Sequence, residues 1–114
     1  MMLDWNTYRQ QLLATIAEIG RTSPEITRGY QGLSQAGAKS GTLGAKTREL
    51  IALAVAVTRQ CDGCIAVHVE AAVKHGATRA EVVEALGVAV AVNAGAALVY
   101  SARVADAMAA HESV

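Results

Sequence analysis

Leu50-Ile51-Ala52-Leu53-Ala54-Val55-Ala56-Val57 is apolar at every position, and whether it forms a strand or a helix decides the fold. Val55 and Val57 alternate with alanine, as do Val88, Val90 and Val92 further on. Such alternation is how a strand reads. Both stretches, however, sit inside longer runs without turn residues, and the alanines between the valines favour helix over strand. The pattern therefore predicts helix in both places, and an all-α, single-domain bundle of five or six helices over residues 1–114 with no sheet. A helix apolar on nearly every side, here about residues 43–58, implies burial all round, which in so short a chain points to a subunit interface.

The flanking elements follow from local signals. Trp5, Tyr8, Leu12, Leu13, Ile16 and Ile19 recur at three- and four-residue steps up to Gly20, predicting an amphipathic first helix over about residues 4–19. Ser23-Pro24-Glu25 reads as a helix start with proline in the first helical position. Gly37 to Gly44 reads as the clearest loop and the one flexible joint. Asp62 to His75 predicts a helix closed by Gly76, and Thr78-Arg79-Ala80-Glu81 is a capping box opening the next. The last helical stretch runs over about residues 94–110, and His111 to Val114 reads as a frayed tail. There is no internal repeat and no low-complexity segment.

Charge and composition exclude several functions. The formal net charge is zero and the ten Lys and Arg residues are scattered, so the basic stripe of a nucleic-acid binder is missing. Residues 1–6 lack a basic region followed by an apolar block, which leads to the expectation of a cytoplasmic protein. The longest apolar run, Ala85 to Tyr100, is interrupted by Asn93 and falls short of the ~20 residues that span a bilayer, so no membrane span is expected.

The chemistry concentrates in Cys61-Asp62-Gly63-Cys64-Ile65-Ala66-Val67-His68, which holds both cysteines of the chain. With Cys64 in the first turn of a helix, His68 lies on the same face and within reach of its thiol. A thiol reacts as thiolate, and a helix N-terminus lowers cysteine pKa through unpaired N–H groups and the helix dipole. Cys61, one turn earlier, can meet an oxidised Cys64 and close a disulfide. Asp62 opposes thiolate formation. Two other readings stay open at this point: small buried residues beside a satisfied histidine, and a zinc site with Cys61, Cys64 and His68 completed by His75 or Glu49.

Glu49 is an acid at the start of an otherwise apolar helix. On a rise of ~1.5 Å per residue it lies ~18 Å before Cys61, with His68 ~10 Å after it, so an antiparallel pair would leave several ångströms between them. An inclined crossing or a bridging water would connect them. Glu70, Glu81 and Glu84 read as members of solvated faces, Tyr30 and Tyr100 as core or interface, and His75 as a residue at a helix C-terminus. Asn93, alone in an apolar helix, invites a buried hydrogen bond, within the chain or across subunits.

Taken together, Lys46 to Ala54, Cys61 to His68 and Gly76 to Glu81 resemble the carboxymuconolactone decarboxylase family, and more specifically its alkylhydroperoxidase D-like branch, over about residues 43–92. The resemblance implies a helical obligate homo-oligomer, commonly trimeric or hexameric, with the CxxC helix central in each subunit. It implies Cys64 as the peroxide-attacking thiol, Cys61 as its resolving partner, and Glu49 with His68 as the proton relay. The expected function is a thiol-dependent peroxidase acting on a hydroperoxide and regenerated by an external dithiol of lipoyl or thioredoxin type, without cofactor or metal. The characterised peroxidases often carry a further histidine inside the CxxC, where this chain has Gly63; the decarboxylase branch generally lacks the cysteine pair. A decarboxylase-like lyase or isomerase, and a non-enzymatic redox-sensing oligomer, are the alternative readings.

Overall fold

A computed structural model describes residues 1–112. It comprises α1 (Trp5–Thr22), α2 (Pro24–Ser40), α3 (Ala45–Arg59), α4 (Asp62–Lys74) and α5 (Arg79–Glu112), with no strand among the described residues. The valine–alanine stretches are helical throughout, in α3 and α5. Of the expected frayed tail, His111 and Glu112 close α5, while residues 113–114 lie outside the described residues.

α4 closes at His75 and Gly76 as expected, but two other helices run on past the glycines expected to stop them. The first helix is capped by the Asp4 side chain, which accepts from Thr7 N, and it passes through Gly20 to Thr22. Gly20 is a packing position: a Cβ there would sit 3.0 Å from the Thr27 side chain of α2. The expected loop from Gly37 shrinks likewise, because α2 continues to Ser40 and ends at Gly41 with a left-handed φ of 68°. Gly37 stays helical to admit Arg48 of α3, whose Cδ would lie 2.8 Å from a Cβ at that position. The last element is one helix of 34 residues, without a break near Ala94.

Each helix packs on the next in the spatial order α2, α1, α4, α3, α5. This open row explains a radius of gyration of 19.0 Å, against ~13 Å for a compact chain of this length. Among the described residues, those buried are Leu53, Ala56, Ala66, Ala72 and Ala89, on α3, α4 and α5. Alanines on packed helices let the helix axes approach closely but remove little apolar area from water. The burial all round expected for α3 is therefore absent within one chain: Ile51 and Val55 remain 49% and 55% exposed. Chain surface totals 8750 Å², about 2,800 Å² more than a compact monomer of this mass presents.

Two acidic residues read as solvated in fact join elements. Glu70 of α4 pairs with Arg9 of α1 at 2.6 Å, and Glu81 of α5 pairs with Lys46 of α3 at 2.7 Å. Glu81 also closes the capping box, accepting from Thr78 N while its own N–H donates to Thr78 Oγ1. Asn93 reaches Thr58 Oγ1 of α3 and the Ala89 carbonyl, so its bond lies within the chain. Hydrogen bonding to the Lys46 ammonium, with help from Thr78, lowers the Glu81 carboxyl from 4.5 to about 2. A depressed folded-state pKa stabilises the fold above the unfolded value and loses that contribution as pH falls through the folded one. Glu81→Gln, which keeps the shape and removes the charge, is thus expected to lower the denaturation midpoint at pH 7. The gap from wild type should persist down to about pH 4.5 and close towards pH 2, as followed by circular dichroism.

Candidate redox site

The site is built on the sharp reversal between α3 and α4. Gln60 takes a left-handed φ of 53°, its N–H closing α3 on Val57 O, and Cys61 N–H donates back to Ala56 O. Cys61 then becomes the N-cap of α4: its Sγ accepts the N–H of Cys64 at 3.2 Å, a place usually held by a side-chain oxygen. Cys61 and Cys64 are joined as a disulfide with Cα atoms 5.3 Å apart. Tight reversal plus N-capping brings both sulfurs to the first turn of α4, where unpaired N–H groups and the helix dipole favour negative charge.

One turn on, His68 meets Glu49 directly, Nδ1 to Oε2 at 2.6 Å. No bridging water is needed, although spacing along two antiparallel axes left several ångströms between them. The pair is 28% and 20% exposed, so the bond works where water competes weakly. An ionised carboxylate only accepts, so Nδ1 carries the donated proton and Nε2 is the ring nitrogen left for chemistry.

Of the four residues singled out by sequence, Glu49 and His68 meet in one bond and Cys61 and Cys64 in another, and His68 lines the same cleft as both cysteines. No set of three or more His, Cys, Asp or Glu side chains among the described residues is placed to hold a metal ion, and both sulfurs are committed to each other. His75 sits at the far end of α4 as its C-cap, outside the site.

What sequence reasoning missed is the wall facing the cysteines. A cleft of about 390 Å³ opens over Cys61, Cys64 and His68, walled by Leu12, Ile16 and Ile19 of α1 and by Ile26 and Tyr30 of α2. The apolar stripe of α1 signalled that this helix covers something, but nothing local shows that its target lies some fifty residues later. Leu12 also explains how Gly63 is accommodated: a Cβ at that position would lie 2.7 Å from Leu12 Cδ2.

The sequence model of the carboxymuconolactone decarboxylase family matches residues 24–107. An uncharacterized protein of Haemophilus influenzae is 46% identical over 107 residues, covering 94% of this chain and 95% of that one. A second, described as uncharacterized protein 4 in the cox locus of Paracoccus denitrificans, is 38% identical over 77% of this chain and 79% of its own length. Among solved structures, an apo carboxymuconolactone decarboxylase family protein from Legionella pneumophila is similar, with a TM-score of 0.74 and 41% identity over 86% of this chain and 88% of that one.

The contact between α1 and the CxxC turn has a measurable consequence. Placing a histidine at position 63 forces Leu12 aside, and overpacking of this kind costs about 1–3 kcal/mol. Gly63→His is expected to lower the urea midpoint, and adding Leu12→Ala should restore much of the loss; additive destabilisation by the two changes would contradict the packing described.

Proposed function

The chain belongs to the carboxymuconolactone decarboxylase family, and within it we propose that this protein is a thiol-dependent peroxidase of the alkylhydroperoxidase D-like branch, reducing organic hydroperoxides. The observation that carries the reading is the Glu49–His68 bond set behind a cysteine pair that opens on an apolar cleft. A pair serving only as a staple has no use for an oriented imidazole one turn away.

The cycle starts from the dithiol. Glu49 holds Nδ1–H, so Nε2 takes the Cys64 thiol proton. The thiolate attacks the terminal peroxide oxygen, the O–O bond breaks, and the departing alkoxide recovers the proton as alcohol. Cys64 is left as sulfenic acid. Cys61 sulfur attacks Cys64 sulfur, hydroxide leaves as water, and the disulfide seen here results. An external dithiol of lipoyl or thioredoxin type then restores both thiols, so that one hydroperoxide and one dithiol give one alcohol, one water and one disulfide. Apolar cleft walls favour an alkyl or aryl hydroperoxide over hydrogen peroxide, since the latter has no carbon to bury.

The same reading includes a homo-oligomer, trimeric or hexameric. Support comes from the excess exposed surface, which falls in the range of obligate interfaces, and from α5, whose Leu98, Val99, Tyr100 and Val104 are 63–76% exposed. By length and composition alone, α5 is long and apolar enough to cross a membrane, longer than the apolar run counted on the sequence. Its packing on α3 and the Asn93–Thr58 bond favour a second copy of this chain over lipid as its cover.

Turnover of cumene hydroperoxide with a dithiol reductant tests the chemistry. Cys64→Ser is expected to abolish it and Glu49→Gln to lower kcat by about 10²-fold or more through loss of the oriented base. A Cys64→Ser protein with wild-type turnover would refute the peroxidase. Light scattering on protein purified without detergent is expected to return a small multiple of 11.8 kDa; a monodisperse monomer at micromolar concentration would remove the assembly from the reading.

A further inference from the structure

Leu12, Ile16 and Ile19 wall the cleft from successive turns of one face of α1. Leu12 marks the fixed end of that wall: it lies against Gly63, and Arg9, one turn earlier, holds Glu70 of α4 at 2.6 Å. At the other end Gly20 admits Thr27 of α2. Between these contacts, Ile16 and Ile19 each have the cleft on one side and a second hollow on the other. Ile19, with Ile26, divides the cleft from a hollow of about 330 Å³ lined by Glu18, Thr22 and Ser23. Ile16, with Thr27, divides it from one of about 470 Å³ lined by Arg21 and Gln31. Neither Glu18 nor Arg21 forms an ion pair among the described residues, so the two flanks carry opposite, uncommitted charges.

We propose that Ile16 and Ile19 are specificity-determining residues of the site, confining it to hydroperoxides whose organic group is compact and uncharged, such as a branched or single-ring hydrocarbon. This rests on the cleft being the substrate site, as in the reading above, and goes beyond it by naming the side chains that select and what they select against.

The argument is one of room and charge. At about 390 Å³ the cleft is small, near the lower end of the ~300–1,000 Å³ usual for small-molecule sites. The side that α1 presents to it is hydrocarbon alone. A carboxylate or ammonium carried into such a space leaves water without gaining a partner, which is unfavourable. The two groups that could supply a partner, Arg21 and Glu18, each lie beyond an isoleucine. A long unbranched chain finds more room only by passing over one of those isoleucines into a flanking hollow. Isoleucine suits a partition, because its χ1 is nearly fixed in a helix and the side chain does not swing aside. The matched family range, residues 24–107, takes in Glu49, both cysteines and His68 but not α1. Chemistry and selection therefore sit on separate segments, and the wall can change without touching the reacting atoms.

The test needs no peroxide, because the disulfide that lines the cleft reports its occupancy. Oxidised full-length protein is reduced with dithiothreitol, and thiol release is followed with and without 2-phenyl-2-propanol, octanoate or octylammonium. By mass action, a molecule that fills the cleft slows reduction by 1 + [L]/Kd, about threefold at twice its Kd. In wild type the neutral alcohol is expected to slow reduction most, with octanoate and octylammonium weaker and alike. Both isoleucines are half-exposed, 40% and 47%, so truncation opens a rim rather than the core. Ile16→Ala should favour octanoate over octylammonium by about threefold and Ile19→Ala the reverse, the range of an ion pair near the surface. Adding Arg21→Glu, at an exposed position, to Ile16→Ala should turn its preference round. A charge preference already present in wild type, variants without a shift, or no slowing by any of the three molecules overturns the proposal. A protein inactive towards hydroperoxides that shows the expected pattern would refute the peroxidase alone. One that turns over cumene hydroperoxide without the pattern would refute the selecting wall alone.

Discussion

The hydrogen bond between Glu49 and His68 is the interaction on which the rest of the site depends. It is the polar link between α3 and α4, and by occupying Nδ1 it leaves one ring nitrogen for chemistry. It also makes use of an acid that an apolar helix would otherwise hold at a cost, because a half-buried carboxylate without a partner is unfavourable. The reversal at Gln60 and Cys61 sets the other end of the same hairpin. Between these two fixed points, the cysteines and the histidine occupy successive turns of one helix face.

Around that hairpin the chain spreads rather than closes. Seams lined by alanine bring α3 against α4 and α5, but alanine contributes little burial per contact. A row of five helices therefore leaves its outer faces, α5 above all, without cover. The redox pair escapes this exposure because it lies towards the middle of the row, where α1 and α2 fold over the start of α4. Position within the row thus shelters the sulfurs, while the ends remain free to meet other copies.

The helical fold and the four polar residues of the site were legible because each rests on local information. Alanine content decides helix for the valine stretches, and i to i+4 spacing aligns Cys64 with His68. Gly76 was read correctly as the close of α4, but two other glycines misled in a consistent way. Gly20 and Gly37 are absent-side-chain positions required by Thr27 and Arg48 across a helix contact, not chain terminators, and no single element contains that information. The ion pairs of Glu70 and Glu81 were illegible for the same reason, since their partners Arg9 and Lys46 come from distant segments, although the capping role of Glu81 was read locally. The Glu49–His68 bond was half legible: spacing identified the pair but left a direct bond and a bridging water both open.

Gly63 shows how one residue couples shelter to chemistry. Without a side chain there, Leu12 drops onto the CxxC turn and seals one side of the cleft with hydrocarbon. A histidine at that position, as the resemblance would have it in related peroxidases, would add a second proton carrier but push α1 away. This chain has the tighter cover and the hydrogen-bonded pair of His68 and Glu49. In the proposed cycle, tighter cover has a chemical use, because sulfenic acid is lost to further oxidation when excess oxidant reaches it before the resolving sulfur does. Cys61, already at the N-cap of the same turn and within disulfide distance, is the group best placed to win that competition. In the proposed cycle, proximity of the resolving sulfur and the hydrocarbon cover of Leu12 thus act on the same intermediate, and both trace to the first turn of α4.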